Sequence, residues 1–248
     1  MEHRDLRRGA IVIFGGASGI GLAVARLGAD IYSSVVIADI HEGQAGIDIV
    51  AAGRAQSRRC DASDPRQVKH LLAEVRKESG MLAAVVTTVG GARLADPLAL
   101  DLDGWRSQIT FNLDTAYVVA TAAAGIMVEQ GEGAIVTTAS TYANVPRPDR
   151  IAYTAAKAGV IAFTRSLAMA VAGKGVRVNC VAPGSTDTPR LRAMTGEGKA
   201  WEDKLNSTPQ GRIASTDDVA RVILYLASAD AASVAGQVLW VNNGAYMP

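Results

Sequence analysis

The sequence predicts an α/β fold, a Rossmann-type doubly wound parallel sheet of about seven strands with helices on both faces. Three observations carry that expectation. Short apolar, β-rich runs recur at residues 10–14, 34–39, 83–88, 133–138, 176–181 and 236–241. Stretches with helical spacing separate them, notably 66–78, 105–129 and 153–171. The first strand run is followed at once by a glycine-rich turn that opens a helix.

At 248 residues the chain can bury a large core. No repeat, low-complexity tract or linker interrupts it, so residues 1–248 read as a single domain. A net charge of +1 favours neither nucleic acid nor an anionic membrane as partner. Cys60 and Cys180 are the only cysteines, and they suit a reducing compartment as buried structural thiols. With His3, His41 and His70 they form no metal-ligand spacing, so no metal is expected. Residues 1–9 are charged and too short for a signal peptide. No apolar run reaches the roughly 18–20 residues of a membrane span. A cytoplasmic protein is expected.

In chain order, strand 10–14 leads into Gly15-Gly16-Ala17-Ser18-Gly19-Ile20-Gly21. A strand, a glycine-rich turn and a helix make a cradle for a dinucleotide phosphate. Glycine lets the backbone approach the pyrophosphate, and the helix N-terminus favours its charge. Strand 34–39 ends in Asp39, eighteen residues past Gly21, where a carboxylate can accept hydrogen bonds from an adenosine ribose and repel a 2′-phosphate. Ile40 and Ser18 bring no cation to that spot, which favours NAD over NADP. Asp64 before Pro65 reads as a helix cap, whereas Asp61 is free to meet the adenine. Residues 105–129 read as a long amphipathic helix with Asn112 inside it, a polar residue that needs partners if buried. Segment 182–189 lies at a strand's C-terminal end, where open α/β sheets bind ligands. Residues 185–212, with weak periodicity and scattered glycine, read as a mobile lid.

The chemistry concentrates between Ser140 and Lys157. Tyr153 and Lys157 are four apart, on one face of a helix. A tyrosine titrates near pH ~10, and a neighbouring ammonium stabilises its phenolate, making Tyr153 a usable proton carrier for alcohol and ketone chemistry. Ser140, closing the preceding strand, can hydrogen-bond the same reacting oxygen.

Taken together, the Gly15/Gly19/Gly21 loop, Asp39, Asp61, Asn112, Ser140, Tyr153/Lys157, Pro183-Gly184 and Gly236-Gln237 resemble the short-chain dehydrogenase/reductase family over the whole chain. The resemblance implies a nicotinamide cofactor and hydride transfer to or from a carbinol carbon. Tyr153 would be the acid/base, Lys157 its pKa partner and a ribose ligand, Ser140 the holder of the substrate oxygen, and Asn112 the anchor of a water in a proton relay. Cofactor contacts would fall on Gly15, Ser18, Gly19, Ile20 and Gly21, then on Asp39, Asp61, Ala62 and Gly90. Tyr153, Lys157, Pro183, Gly184, Thr186 and Thr188 would complete them. The family commonly forms tetramers by pairing the Asn112 and Tyr153 helices.

Three stretches depart from the family pattern. Phe14 stands where Thr is usual, Thr87-Thr88-Val89-Gly90 replaces Asn-Asn-Ala-Gly, and Val241-Asn242-Asn243-Gly244 replaces Val-Asp-Gly-Gly. The first two put cofactor affinity or stability in question. Within the family, the chain is similar to bacterial 2,3-dihydro-2,3-dihydroxybenzoate dehydrogenases and to dehydrogenases of cis-diol carboxylates, enzymes that oxidise a carboxylated cyclohexadiene diol with NAD. Arg147 or Arg150, just before Tyr153, would then clamp a carboxylate. Other cyclic alcohols, ketones and polyols also fit. A 3-oxoacyl-carrier-protein reductase is a further alternative, one that usually uses NADPH, which Asp39 disfavours. A non-catalytic NAD(H)-binding sensor or scaffold is the alternative outside enzymology.

Overall fold

Strand β1 (Ala10–Phe14) is buried at every residue, and its alternate side chains enter two different cores. The structure, a computed structural model, describes residues 8–41 and 44–248, with no side-chain description for 44–47. His3 and most of the charged N-terminal stretch lie outside the described residues. Ile11 and Ile13 pack beneath α1 (Gly19–Gly28) and α9 (Thr216–Ala227). Ala10, Val12 and Phe14 face a second core with Leu72, Val119 and Met127. Those three come from α3 (Pro65–Ser79) and α5 (Thr115–Gln130). A strand covered on both faces must be apolar at consecutive positions, which is why these runs stand out in the sequence.

The remaining strands are β2 (Ser34–Asp39), β3 (Gln56–Arg59), β4 (Leu82–Thr87), β5 (Gly133–Thr138), β6 (Val176–Pro183), β7 (Thr186–Asp187), β8 (Ala214–Ser215) and β9 (Val238–Val241). Among the described residues the main sheet is seven-stranded and parallel, in the order β3-β2-β1-β4-β5-β6-β9. Helices lie on both faces, as expected. Chain direction along the sheet reverses between β1 and β4, so a crevice opens at their C-terminal ends. β7 and β8 form a separate two-stranded parallel pair that ties the segment after β6 to the start of α9. The edge strand β3 is mostly exposed and polar.

Several elements differ from the sequence expectation. Residues 105–129 belong to a continuous helix made of α4 (Leu102–Ile109), a π turn at Thr110–Asp114, and α5. It is apolar around most of its circumference rather than amphipathic, because α5 packs on β4, β5 and α3 and is apolar on its outer side as well. This helix, Leu102–Gln130, is long and apolar enough to cross a membrane by length and composition, its most apolar 18-residue window having a mean hydropathy of 1.4. Half of that apolar window is buried within the fold, which makes it a core helix. The expectation that no run reaches spanning length is corrected accordingly. Segment 191–210 holds two short helices, α7 (Pro189–Thr195) and α8 (Lys199–Asn206), whose exposed residues leave little periodicity to read. The short helix α2 (Gln44–Ala51) left no clear signal either. Helix α6 (Ile151–Val171) begins two residues before Tyr153. Asp64 caps α3, its Oδ1 accepting from the amides of Arg66 and Gln67.

Candidate active site

The glycine loop after β1 is shaped by space as well as conformation. Gly15 and Gly19 have φ of +79° and +53°, and a Cβ on Gly21 would overlap the Gly15 carbonyl oxygen. Ser18 sits at the N-cap of α1 with extended backbone. Thr88 anchors the loop from below: its hydroxyl donates to the carbonyls of Phe14 and Gly15 at 3.0 and 3.1 Å, and its amide to Phe14 at 2.9 Å. The two departures that put the loop in question therefore compensate each other. Phe14 fills the core, and Thr88 supplies the hydroxyl. At the third departure, Asn243 has a φ of +53°, the only positive value on a non-glycine among the described residues. Asparagine tolerates that conformation where the family has glycine.

Asp39, at the end of β2, is held by two amides. Its Oδ2 accepts from Ala17 and its Oδ1 from His41, both at 3.1 Å. The carboxylate thus faces the crevice beside the glycine loop. Asp61 is differently occupied. Its Oδ1 accepts from the amide and hydroxyl of Ser63 at 2.8 and 2.7 Å, a local turn, so its carboxylate is partly spent on its own loop. Both acids, with Ile20, Ala62, Gly90 and Pro183, line one continuous cavity of about 910 Å³. Gly184, Thr186 and Thr188 line it from the opposite wall. Thr188 caps α7 and lies over Gly19, where a Cβ would stand 3.5 Å from its methyl group.

Ser140, Tyr153 and Lys157 line the same cavity at the C-terminal end of β5. Asn112, fully buried in the π turn, stands behind it. Its Oδ1 accepts from the Gly91 amide at 2.8 Å, and its amide group donates to the carbonyls of Gly91 and Gln108 at 3.2 and 3.0 Å. Gly90 separates it from Lys157, since a Cβ there would lie 2.6 Å from Asn112 Oδ1 and 2.9 Å from Lys157 Nζ. Lys157 donates to the Thr138 carbonyl at 2.8 Å, with its Nζ 5.8 Å from the Tyr153 ring centroid.

The spacing predicts that the Lys157 ammonium lowers the Tyr153 pKa. In the free protein a different effect dominates. Burial raises the Tyr153 phenol above its ordinary value, and the Ser140 hydroxyl beside it and the charges of Arg190 and Arg150 pull the other way. Burial lowers Lys157 to about 8, so this lysine is only partly charged at mildly alkaline pH.

Of the two arginines expected beside the substrate, one reaches the cavity. Arg147 does not line the cavity; it is half exposed and reaches Asp149 at 3.4 Å. Arg150 lines the cavity, but its guanidinium is bound by both Asp149 oxygens at 3.0 and 2.8 Å and lies 4.8 Å from the Tyr142 ring centroid. Asp149 is held well below the usual carboxylate range by that pairing. Asp149 thus takes two of the five N–H donors of Arg150. Arg190, absent from the sequence expectation, reaches the cavity from the first turn of α7, across a separation of 98 residues from the Ala92 carbonyl it meets. Its only sequence signal is its place directly after the Thr188-Pro189 helix start.

Residues 15–246 match a family model described as enoyl-(acyl carrier protein) reductase. Cis-4-hydroxycyclohexanecarboxylate dehydrogenase of Sinomonas cyclohexanicum is 38% identical over 237 residues, covering 94% of each chain. The 3-oxoacyl-(acyl-carrier-protein) reductase FabG of Chlamydia pneumoniae is 34% identical over 239 residues, 94% of this chain and 95% of the other. Among solved structures, a short-chain type dehydrogenase/reductase from Mycobacterium ulcerans superposes with a TM-score of 0.89 at 26% identity, over 96% of this chain and 89% of that one.

Proposed function

The chain belongs to the short-chain dehydrogenase/reductase family, and on that premise we propose an NAD-dependent dehydrogenase that interconverts a ring-borne secondary alcohol, carrying a carboxylate, with its ketone. One observation carries the reading. Ser140 and Tyr153 stand together in a cleft that also presents Asp39 beside a glycine loop with no room for a Cβ at Gly15, Gly16 or Gly21. The loop from Gly15 to Gly21 fits a pyrophosphate, and Thr186, Thr188, Pro183 and Gly184 fit the far side of a dinucleotide. Asp39, its two oxygens already oriented by amides, favours a free ribose hydroxyl over a 2′-phosphate and so NAD over NADP. The nicotinamide, when bound, accepts or returns the hydride of the carbinol carbon.

In oxidation, Tyr153 as phenolate takes the hydroxyl proton while the carbinol hydrogen leaves as hydride, so the alcohol loses one proton and one hydride, two electrons and two protons in all. Ser140 holds the reacting oxygen against Tyr153. Lys157 and Asn112 hold the polar path behind Tyr153 through which that proton leaves. The carboxylated ring is favoured by the charge of the cleft, where the cations Arg93, Arg106, Arg150, Arg190 and Lys204 outnumber the lining carboxylates Asp39 and Asp61. The 38% identical relative named for a hydroxycyclohexanecarboxylate supports the same class. The intact four-residue set supports turnover over a sensor that only binds cofactor. We further propose that residues 1–248 form one domain with 185–212 as substrate lid, that the chain is a homotetramer, and that it is cytoplasmic, a location suited to the free thiols of Cys60 and Cys180.

The test follows NADH formation with cis-4-hydroxycyclohexanecarboxylate, cyclohexanol, and an NADP control, and acetoacetyl thioester reduction in the reverse direction. Turnover of the carboxylated ring with NAD, reduced about 10²- to 10⁴-fold in Tyr153→Phe with NAD affinity retained, is expected. Preference for the thioester with NADPH would replace this reading with that of an acyl reductase.

A further inference from the structure

Unlike Arg150 and Arg192, Arg190 has no carboxylate partner among the described residues. Arg150 is engaged by Asp149 and Arg192 by both oxygens of Asp187 at 2.6 Å, and Arg192 also lies 4.6 Å from the Trp201 ring centroid. Arg190 makes one hydrogen bond, from Nη2 to the Ala92 carbonyl at 2.9 Å, and has no ion pair among the described residues. Its guanidinium rests on Gly91, where a Cβ would overlap Cζ and Nη1 and lie 2.7 Å from Nε. Gly91 has no positive φ, so a side chain there would disturb the seat of the guanidinium and not the backbone conformation. Gly91 is itself fixed by Asn112, which holds the seat of Arg190 against the catalytic helix. The guanidinium lies 5.9 Å from the Phe111 ring centroid, and its charge reaches the Tyr153 hydroxyl.

Resting on the reading of a carboxylated ring substrate, we propose that Arg190, and not Arg147 or Arg150, receives the substrate carboxylate. A guanidinium presents five N–H donors, and four of these are not used by the Ala92 carbonyl. Its planar fork can hold a carboxylate with two parallel bonds. The apolar side chains of Phe111, Leu191 and Met194 line the same cavity and suit the ring between the carboxylate and the reacting oxygen. Arg93 and Lys204 line the same cavity and add positive charge that draws an anion toward it.

The test uses Arg190→Gln, Arg190→Lys and Arg150→Gln in two assays. In steady-state kinetics, Arg190→Gln is expected to raise KM for cis-4-hydroxycyclohexanecarboxylate about 10- to 100-fold and KM for cyclohexanol and NAD far less, while any change in kcat from the lost charge beside Tyr153 is shared by both alcohols. Arg190→Lys falls between, keeping the charge without the fork. In calorimetric titration of cyclohexanecarboxylate into NADH-saturated protein, Kd rises by a similar factor in Arg190→Gln. An equal loss on cyclohexanol or NAD, an unchanged Kd, or a larger loss in Arg150→Gln overturns the assignment. The two assays separate the claims. Arg190-dependent binding of the carboxylate without turnover of any ring alcohol leaves the anion site standing and removes the substrate reading. Turnover of the carboxylate unaffected by Arg190→Gln does the reverse.

Discussion

Lys157 sits almost fully buried with a single carbonyl as its hydrogen-bond partner, an arrangement that burdens the fold. Burial depresses its pKa from 10.5 to about 8. Between those values the unfolded chain binds more protons than the folded one, so stability rises with pH from about 8 to about 10.5, and the burden is fully present below 8. Lys157→Met, which keeps the length and loses the charge, is therefore expected to gain about 2 kcal/mol at pH 7, after the lost bond to Thr138 is allowed for. The gain shrinks toward nothing by pH 10.5, while oxidation activity is lost. Urea unfolding of both proteins at pH 7 and pH 10 decides this, and an equal difference at the two pH values would refute it. Tyr153 and Lys157 were legible in the sequence because helix geometry converts their spacing into proximity, and Ser140 because it closes the apolar strand run before that helix. Arg190 and Thr88 were not, since each acts through a contact with a distant segment that no local spacing encodes. Thr88 was even legible as a defect, being a departure from the family at a place where only the fold shows what its hydroxyl reaches.

The π turn between α4 and α5 is the element that brings Asn112 to the site. One extra residue in the turn rotates the helix locally, a device that recurs where a helix must aim a side chain. Here it lets one amide satisfy the backbone of both Gly91 and Gln108. A role confined to a proton relay would make Asn112→Ala inactive but stable. The three buried bonds argue otherwise: removing them strands the Gly91 amide, and a loss of about 2–3 kcal/mol is expected in chemical unfolding. Asn112→Ala with wild-type stability would return the residue to a purely catalytic role. Elements buried on both faces were readable because continuous burial writes a continuous apolar run. The π turn was not, because the extra residue leaves the composition unchanged. Helices α7 and α8 were hidden for another reason. They are exposed on most sides, so their sequence carries capping residues such as Thr188 and Pro189 but no apolar stripe.

For the whole molecule, the telling surface is the outer side of α5 and α6. Tyr117 is 54% exposed and Met169 78%. Thr121 and Gly125 follow Tyr117 at intervals of four, and Ala155 and Ala162 precede Met169 at intervals of seven, so each set shares a helix face. Small side chains between larger apolar ones let two such faces approach closely, and an outer face of this kind on two adjacent helices is suited to a second copy of the chain. These are also the helices that carry or adjoin Asn112 and Tyr153, so pairing would brace the site from behind. Tyr117→Glu places a charge at the centre of that face without touching the cleft. In sedimentation velocity the wild-type chain is expected as a tetramer and the variant as smaller species. Its kcat should fall with the tetramer fraction, while its far-ultraviolet circular dichroism stays unchanged. A wild-type chain that sediments as a monomer at micromolar concentration, or a dissociated variant with full kcat, would show that each protomer holds its catalytic helices in place alone.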